Sequence, residues 1–188
     1  MYELLVLSLL MRFPLHAYLI SKISNDTTGP WEQVSRGTLS TLLNKLEKRK
    51  LIQETAATDV PFPSERSSRT FEITDKGKER FIELMLDTEK NMGNYQKLFH
   101  IKALYLDLID DGARVMLVNH YLDYCQRALD HLRKQQAEFE QNPDQTEKLD
   151  QVHYFSTIEG LMQLGEEQWN SEKLWANTLK ERIQGRGD

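Results

Sequence analysis

Apolar positions along the chain fall first into helical spacing. Residues 2–11 are nearly all apolar and predict a short buried helix. Pro14 suits the first turn of a second helix, with Leu15, Tyr18, Leu19 and Ile23 on one face. The run Asn25-Asp26-Thr27-Thr28-Gly29-Pro30 is dense in turn formers and predicts the end of that helix. Ser35 is placed to cap a third helix whose apolar stripe is Leu39, Leu42, Leu43 and Leu46. Its opposite face carries Thr38, Thr41, Asn44, Lys45 and Lys48.

The period then changes. Residues 52–55 and 70–73 alternate as short strands around a polar loop, 56–68, that holds Arg66 and Ser67. Thr74 or Asp75 caps a fourth helix with Phe81, Ile82, Leu84, Met85 and Leu86 on its apolar face, and Gly77 reads as a minor interruption. A break is expected near Gly93, one helical segment over 98–109, and a stop at Asp110-Asp111-Gly112. From about 113 to 141 a heptad seam runs through Val118, Leu122, Cys125, Leu129, Leu132, Gln136 and Phe139. After a break at 142–144, a last helix over about 145–183 repeats the pattern through Phe155, Ile158, Met162, Gly165 and Trp169, and residues 184–188 are expected to fray. Spacing alone does not say whether these seams close within one chain or between two.

Composition narrows the function classes. The 188 residues carry a net charge of −5, with 28% charged and 39% apolar side chains. One cysteine, Cys125, excludes an intramolecular disulfide and a cysteine-cluster zinc site. Cys125 lies on an apolar seam and reads as packing rather than a redox sensor. The five histidines form no HExxH, and no phosphate loop, nucleophile elbow or dinucleotide fingerprint occurs. No catalytic, cofactor or metal site is therefore expected. The apolar run at 4–11 is too short to span a bilayer and lacks the flanks of a signal peptide, so a cytoplasmic protein with no membrane partner is expected.

An acidic total argues against a nucleic-acid ligand, but the charge is uneven. Residues 1–100 are net +1 and residues 101–188 net −6. Within 36–50, Arg36, Lys45, Lys48, Arg49 and Lys50 face Glu47 alone, a local excess of +4. Three helices, a hairpin and a basic third helix predict a mainly α fold: an N-terminal winged helix-turn-helix with a small β-hairpin wing, then an all-helical C-terminal region. The third helix is the length and chemistry for a DNA major groove, and Arg66, Ser67 and Arg69 at the wing suit phosphates.

The segments LLVLSLLMRFPLHAYLI (4–20), RGTLSTLLNKLEKRKLI (36–52) and SRTFEITDKGKERF (68–81) resemble the PadR-like family of bacterial transcription regulators. The resemblance implies a DNA-binding domain over 1–94 and a helical dimerisation and effector domain over 95–188. It implies DNA contacts from Tyr18, Ser35, Arg36, Thr38, Ser40, Thr41, Asn44, Lys45, Lys48, Arg66, Ser67 and Arg69. It implies a homodimer on a palindromic operator, with Val118, Leu122, Cys125, Leu129, Leu132, Phe139 and Trp169 at the dimer seam. It also implies repression relieved by a small aromatic or amphipathic effector, for which Phe99, Tyr105, Tyr121, Trp169 and Trp175 are the aromatic candidates. Ser40 stands where the family usually has tyrosine, and Arg49-Lys50 replaces the frequent acidic-glycine or lysine-glycine end of the third helix. The rival reading is a winged-helix module that binds protein and not DNA.

Overall fold

A computed structural model describes residues 1–56, 69–141 and 152–185, which fall into two compact units, 1–109 and 110–188. The first unit is a mainly helical winged helix. It runs α1 (Tyr2–Arg12), β1 (Leu15–His16), α2 (Ala17–Thr28), α3 (Arg36–Lys48), β2 (Ile52–Glu54), β3 (Thr70–Ile73), α4 (Asp75–Leu86) and α5 (Tyr95–Ala103). Short 3₁₀ turns occupy Met92–Asn94 and Leu106–Leu108. The second unit holds α6 (Asp111–Glu140) and α7 (Val152–Gln184).

The first core follows from the stripes. Leu4 to Leu10 of α1 are all buried, which explains why no polar residue interrupts the run except Ser8, whose hydroxyl donates to Leu4 O at 2.8 Å. α1 packs against α4, α2 and β3. Leu39, Leu43 and Leu46 of α3 are at most 3% exposed, and each contributes about 1.5–3 kcal/mol by burial. Leu42 stands at the margin of this stripe, half-buried.

Two expectations need correction. Pro14 does not open a helix. Leu15 and His16 pair antiparallel with Phe71 and Thr70 of β3, and α2 starts at Ala17. Leu15 is buried, and His16 Nδ1 lies 2.7 Å from Thr70 Oγ1, so tertiary pairing overrides proline's helix-start preference. The sheet order is β1-β3-β2, with Ile52 opposite Ile73 and Glu54 opposite Phe71. The turn-forming run does end α2, at Thr28 with Gly29 as its cap, although its first four residues are still helical. Thr27 and Thr28 donate back to Ile23 O and Ser24 O, and Asn25 spends its side chain on both backbone groups of Val34. Second, 98–109 is not one helix. It starts earlier, at Tyr95, and stops at Ala103 before a 3₁₀ turn.

The first unit extends past the boundary expected at residue 94. Arg12 forks onto Asp107 with two 2.7 Å bonds, and Phe99, Ile101, Tyr105 and Ile109 are buried. Lys102 is fully buried as well. Its Nζ donates to Asp87 O at 2.6 Å and lies 5.6 Å from the Tyr95 ring centroid. Burial pushes the Lys102 ammonium down to about 8 against a weaker opposing pull from Asp87. The unfolded chain then binds the extra proton between about pH 8 and 10.5, so Lys102 adds stability as pH rises through that window. Wild type should gain on the order of 3 kcal/mol relative to Lys102→Met across it, measured by denaturant unfolding at successive pH values.

Lys50 sits just past α3 with φ 60°, a left-handed position that suits glycine. This gives the missing family glycine a physical consequence. Lys50→Gly should raise stability by about 1 kcal/mol, read from the thermal midpoint.

In the second unit α6 and α7 run antiparallel. Asp110 caps α6, its carboxylate accepting from Ala113 N at 2.8 Å, so the helix begins at Asp111. Tyr121 donates to Glu172 at 2.7 Å, Arg133 meets Glu166 at 2.9 Å, and the Phe139 and Phe155 rings lie 5.8 Å apart. Lys173 also donates to Gln126. A side chain at Gly165 would stand 3.2 Å from Leu132 Cδ1, so the glycine lets the helices close there. Burial pushes the Cys125 thiol up to about 11, which keeps it protonated at neutral pH. No described helix is long and apolar enough to cross a membrane.

Candidate nucleic-acid interface

α2, the turn over 29–35 and α3 form the helix-turn-helix. Gly29, at φ 81°, closes α2 with its N–H on Asn25 O at 3.0 Å. Ser35 caps α3 as expected, accepting from Thr38 N at 3.1 Å. With Leu39, Leu43 and Leu46 turned inward, the helix presents Arg36, Thr38, Ser40, Thr41, Asn44, Lys45 and Lys48 to solvent. Tyr18 of α2, 47% exposed, lies on the same side. Together with Arg36, Ser40, Asn44 and Arg69 it lines a cleft of about 290 Å³ whose apolar lining includes Leu39, Leu43 and Phe71.

These side chains are not equally available. The hydroxyls of Ser35 and Thr38 engage each other at 2.9 Å, and Thr41 donates to Gly37 O at 3.0 Å. Arg36, Ser40, Lys45 and Lys48 have no ion pair or side-chain hydrogen bond to another described residue. Arg49 belongs elsewhere. It meets Glu3 of α1 at 3.0 Å, and Arg80 of α4 meets the same carboxylate at 2.8 Å. Burial pushes the Glu3 carboxyl up, but the hydrogen bonds from Arg80 and Arg49 outweigh it and hold the group below the usual carboxylate range. One acid thus ties the end of α3 to α1 and α4, and Arg49 drops out of the basic face.

Arg69, just before β3, is also engaged. It donates to Glu54 at 2.7 Å, to both oxygens of Glu47 at 2.7 and 2.8 Å, and to Asn44 Oδ1 at 3.1 Å. Its guanidinium carbon lies 4.8 Å from the Phe71 ring centroid. Glu47 and Glu54 carry no expectation from the sequence and join this cluster only in the fold. Glu47 stands three positions after Asn44, on the same side of a helix, and that spacing was the available signal. Arg66 and Ser67 lie outside the described residues.

Of the expected dimer residues, Val118, Cys125 and Leu129 are buried, and Leu122, Leu132, Phe139 and Trp169 half-buried, on the seam between α6 and α7 of one chain. Tyr124 of α6 packs edge-on against Trp169 of α7 at 5.5 Å, and Tyr121 against Trp175 at 6.3 Å. Of the aromatic effector candidates, Phe99 and Tyr105 are buried in the first unit. Tyr121 is buried, Trp169 half-buried and Trp175 40% exposed in the second. Among the described residues no group of three or more His, Cys, Asp or Glu side chains is placed to hold a metal ion.

No curated protein matches the sequence. Among solved structures, Bacillus subtilis PadR in complex with operator DNA is 14% identical, over 96% of this chain and 98% of that one, with a TM-score of 0.38. The PadR-like transcriptional regulator BC1756 from Bacillus cereus is 17% identical over 99% of both chains, with a TM-score of 0.37. Bacillus subtilis PadR in complex with p-coumaric acid is 15% identical, over 97% of this chain and 98% of that one, also at 0.37. Residues 6–83, from α1 to α4, match the model of the transcriptional regulator PadR-like family. Over these residues, less than half of its length, the chain is similar to a family of transcriptional regulators.

Proposed function

We propose that the chain is a cytoplasmic, sequence-specific DNA-binding regulator that acts as a homodimeric repressor and is released by a small effector. The observation that carries the DNA reading is the α3 face. Arg36, Ser40, Lys45 and Lys48 are exposed on one helix whose leucines anchor it, within the segment that matches the regulator family. Such a helix supplies hydrogen-bonding groups for base edges and cations for phosphates. The acidity does not oppose this, because residues 110–188 carry the whole −6 and the first unit is net +1.

The dimer is supported by apolar side chains of α7 that α6 leaves exposed. The α6–α7 seam already covers the heptad residues, yet Leu161 is 61% exposed, Leu164 48%, Leu174 70% and Trp175 40%. Apolar side chains of this size left in water on one helix favour association with a second copy. Sedimentation of the intact chain with a bound duplex tests the assembly. Two chains per site are expected, and one chain per site would refute the homodimer.

A further inference from the structure

The Arg69 cluster carries an inference about base specificity that rests on the DNA-binding reading above. An arginine side chain has donors and no acceptor. The Asn44 atom that faces Arg69 is therefore the carbonyl oxygen, as the 3.1 Å bond to Oδ1 records, and the amide nitrogen is turned the other way. Arg69 is itself held by Glu47 on α3 and Glu54 on β2, and it lies over Phe71. Its guanidinium charge is matched by two carboxylates within 2.8 Å. A DNA phosphate would have to displace them.

We propose that Arg69 is a positioning residue and not a phosphate ligand: it fixes the exposed Asn44 amide so that Asn44 offers its N–H donors to an acceptor edge, guanine O6 or N7 or thymine O4. The asparagine read of adenine needs Oδ1 to accept from N6 while Nδ2 donates to N7. That pairing sets both amide atoms side by side on the base, and Arg69 takes the Oδ1 side. Glu47 and Glu54 fix Arg69 in turn, so a fork anchored on the wing's base sets what the recognition helix can read.

The test uses the intact chain and a duplex enriched from a random pool by wild type. Asn44→Ala locates the position in each half-site that depends on Asn44. Wild type should prefer guanine or thymine there. Arg69→Met should relax that preference by about tenfold or transfer it to adenine, and leave the slope of log affinity against log salt unchanged. Arg69→Lys keeps the charge without the fork and should behave like Arg69→Met. Glu47→Gln, which loosens the fork while Arg69 stays, should shift the same position. A salt slope reduced by about one per protomer in Arg69→Met, with base preference kept and Arg69→Lys restoring the slope, would make Arg69 a phosphate ligand and overturn the proposal. So would a wild-type preference for adenine at that position. If wild type enriches no duplex at all, the DNA-binding reading fails, and the proposal with it.

Discussion

Gly77→Ala lowers the stability of the first unit by about 3 kcal/mol or more, or prevents its folding. The sequence reads Gly77 as a minor interruption of α4, and the structure corrects this. A Cβ at Gly77 would stand 2.0 Å from Leu51 O and 2.6 Å from Ile73 Cγ1. The oxygen is backbone and cannot swing aside. It also accepts from Thr74 N at 3.1 Å, and Thr74 caps α4 by accepting from Gly77 N at 3.0 Å. Making room for one methyl group therefore disturbs the cap, the Leu51 hydrogen bond and the approach of α4 to the end of α3 together. Gly160→Ala is the control. It replaces a glycine of α7 with nothing within 4 Å of the new Cβ, and should gain about 0.5–1 kcal/mol from helix propensity. Chemical denaturation of both variants measures the contrast. Equal stability for wild type and Gly77→Ala would mean that α4 does not pack against Leu51 as described.

Replacing Lys45 and Lys48 together with glutamine weakens DNA binding by on the order of 100-fold at low salt and flattens its salt dependence. Each exposed lysine that meets one phosphate adds about 0.9 to the slope of log affinity against log salt, so four lysines in a dimer remove roughly three to four units. The contrast is with Arg49→Gln. Arg49 is paired with Glu3, so its loss should cost stability while the salt slope stays at the wild-type value. Binding isotherms over a salt series separate the two cases. A double-lysine variant with the wild-type slope would remove α3 from the phosphate-facing surface.

Much of the first unit is legible from local chemistry. Ser35 and Thr74 are readable as caps because a hydroxyl before an apolar stripe has one strong local use, and both accept from the expected amides. The leucine spacing of α3 gives its buried face, and with it the exposed polar face. What escapes is set by long-range contact. β1 has two residues, too few for alternation to register, and it exists through pairing with β3, 54 positions away at His16 and Thr70. Gly77 looks permissive in its own helix and is required only because Leu51 arrives there. Arg69 reads as a free wing cation until Glu47, Glu54 and Asn44 are brought to it. The heptad of α6 has the same form whether its partner is α7 or a second chain, and within one chain α7 lies along it.

Selection of bound duplexes from a random pool by the intact chain tests the DNA-reading role of α3 most directly. The expected product is a palindrome with half-sites about 10 base pairs apart, or a multiple, and with enrichment lost in the Lys45 and Lys48 double variant. No enrichment of any sequence at low salt, with tight capture of a protein partner through the same α3 face, would contradict it and make the first unit a protein-binding module.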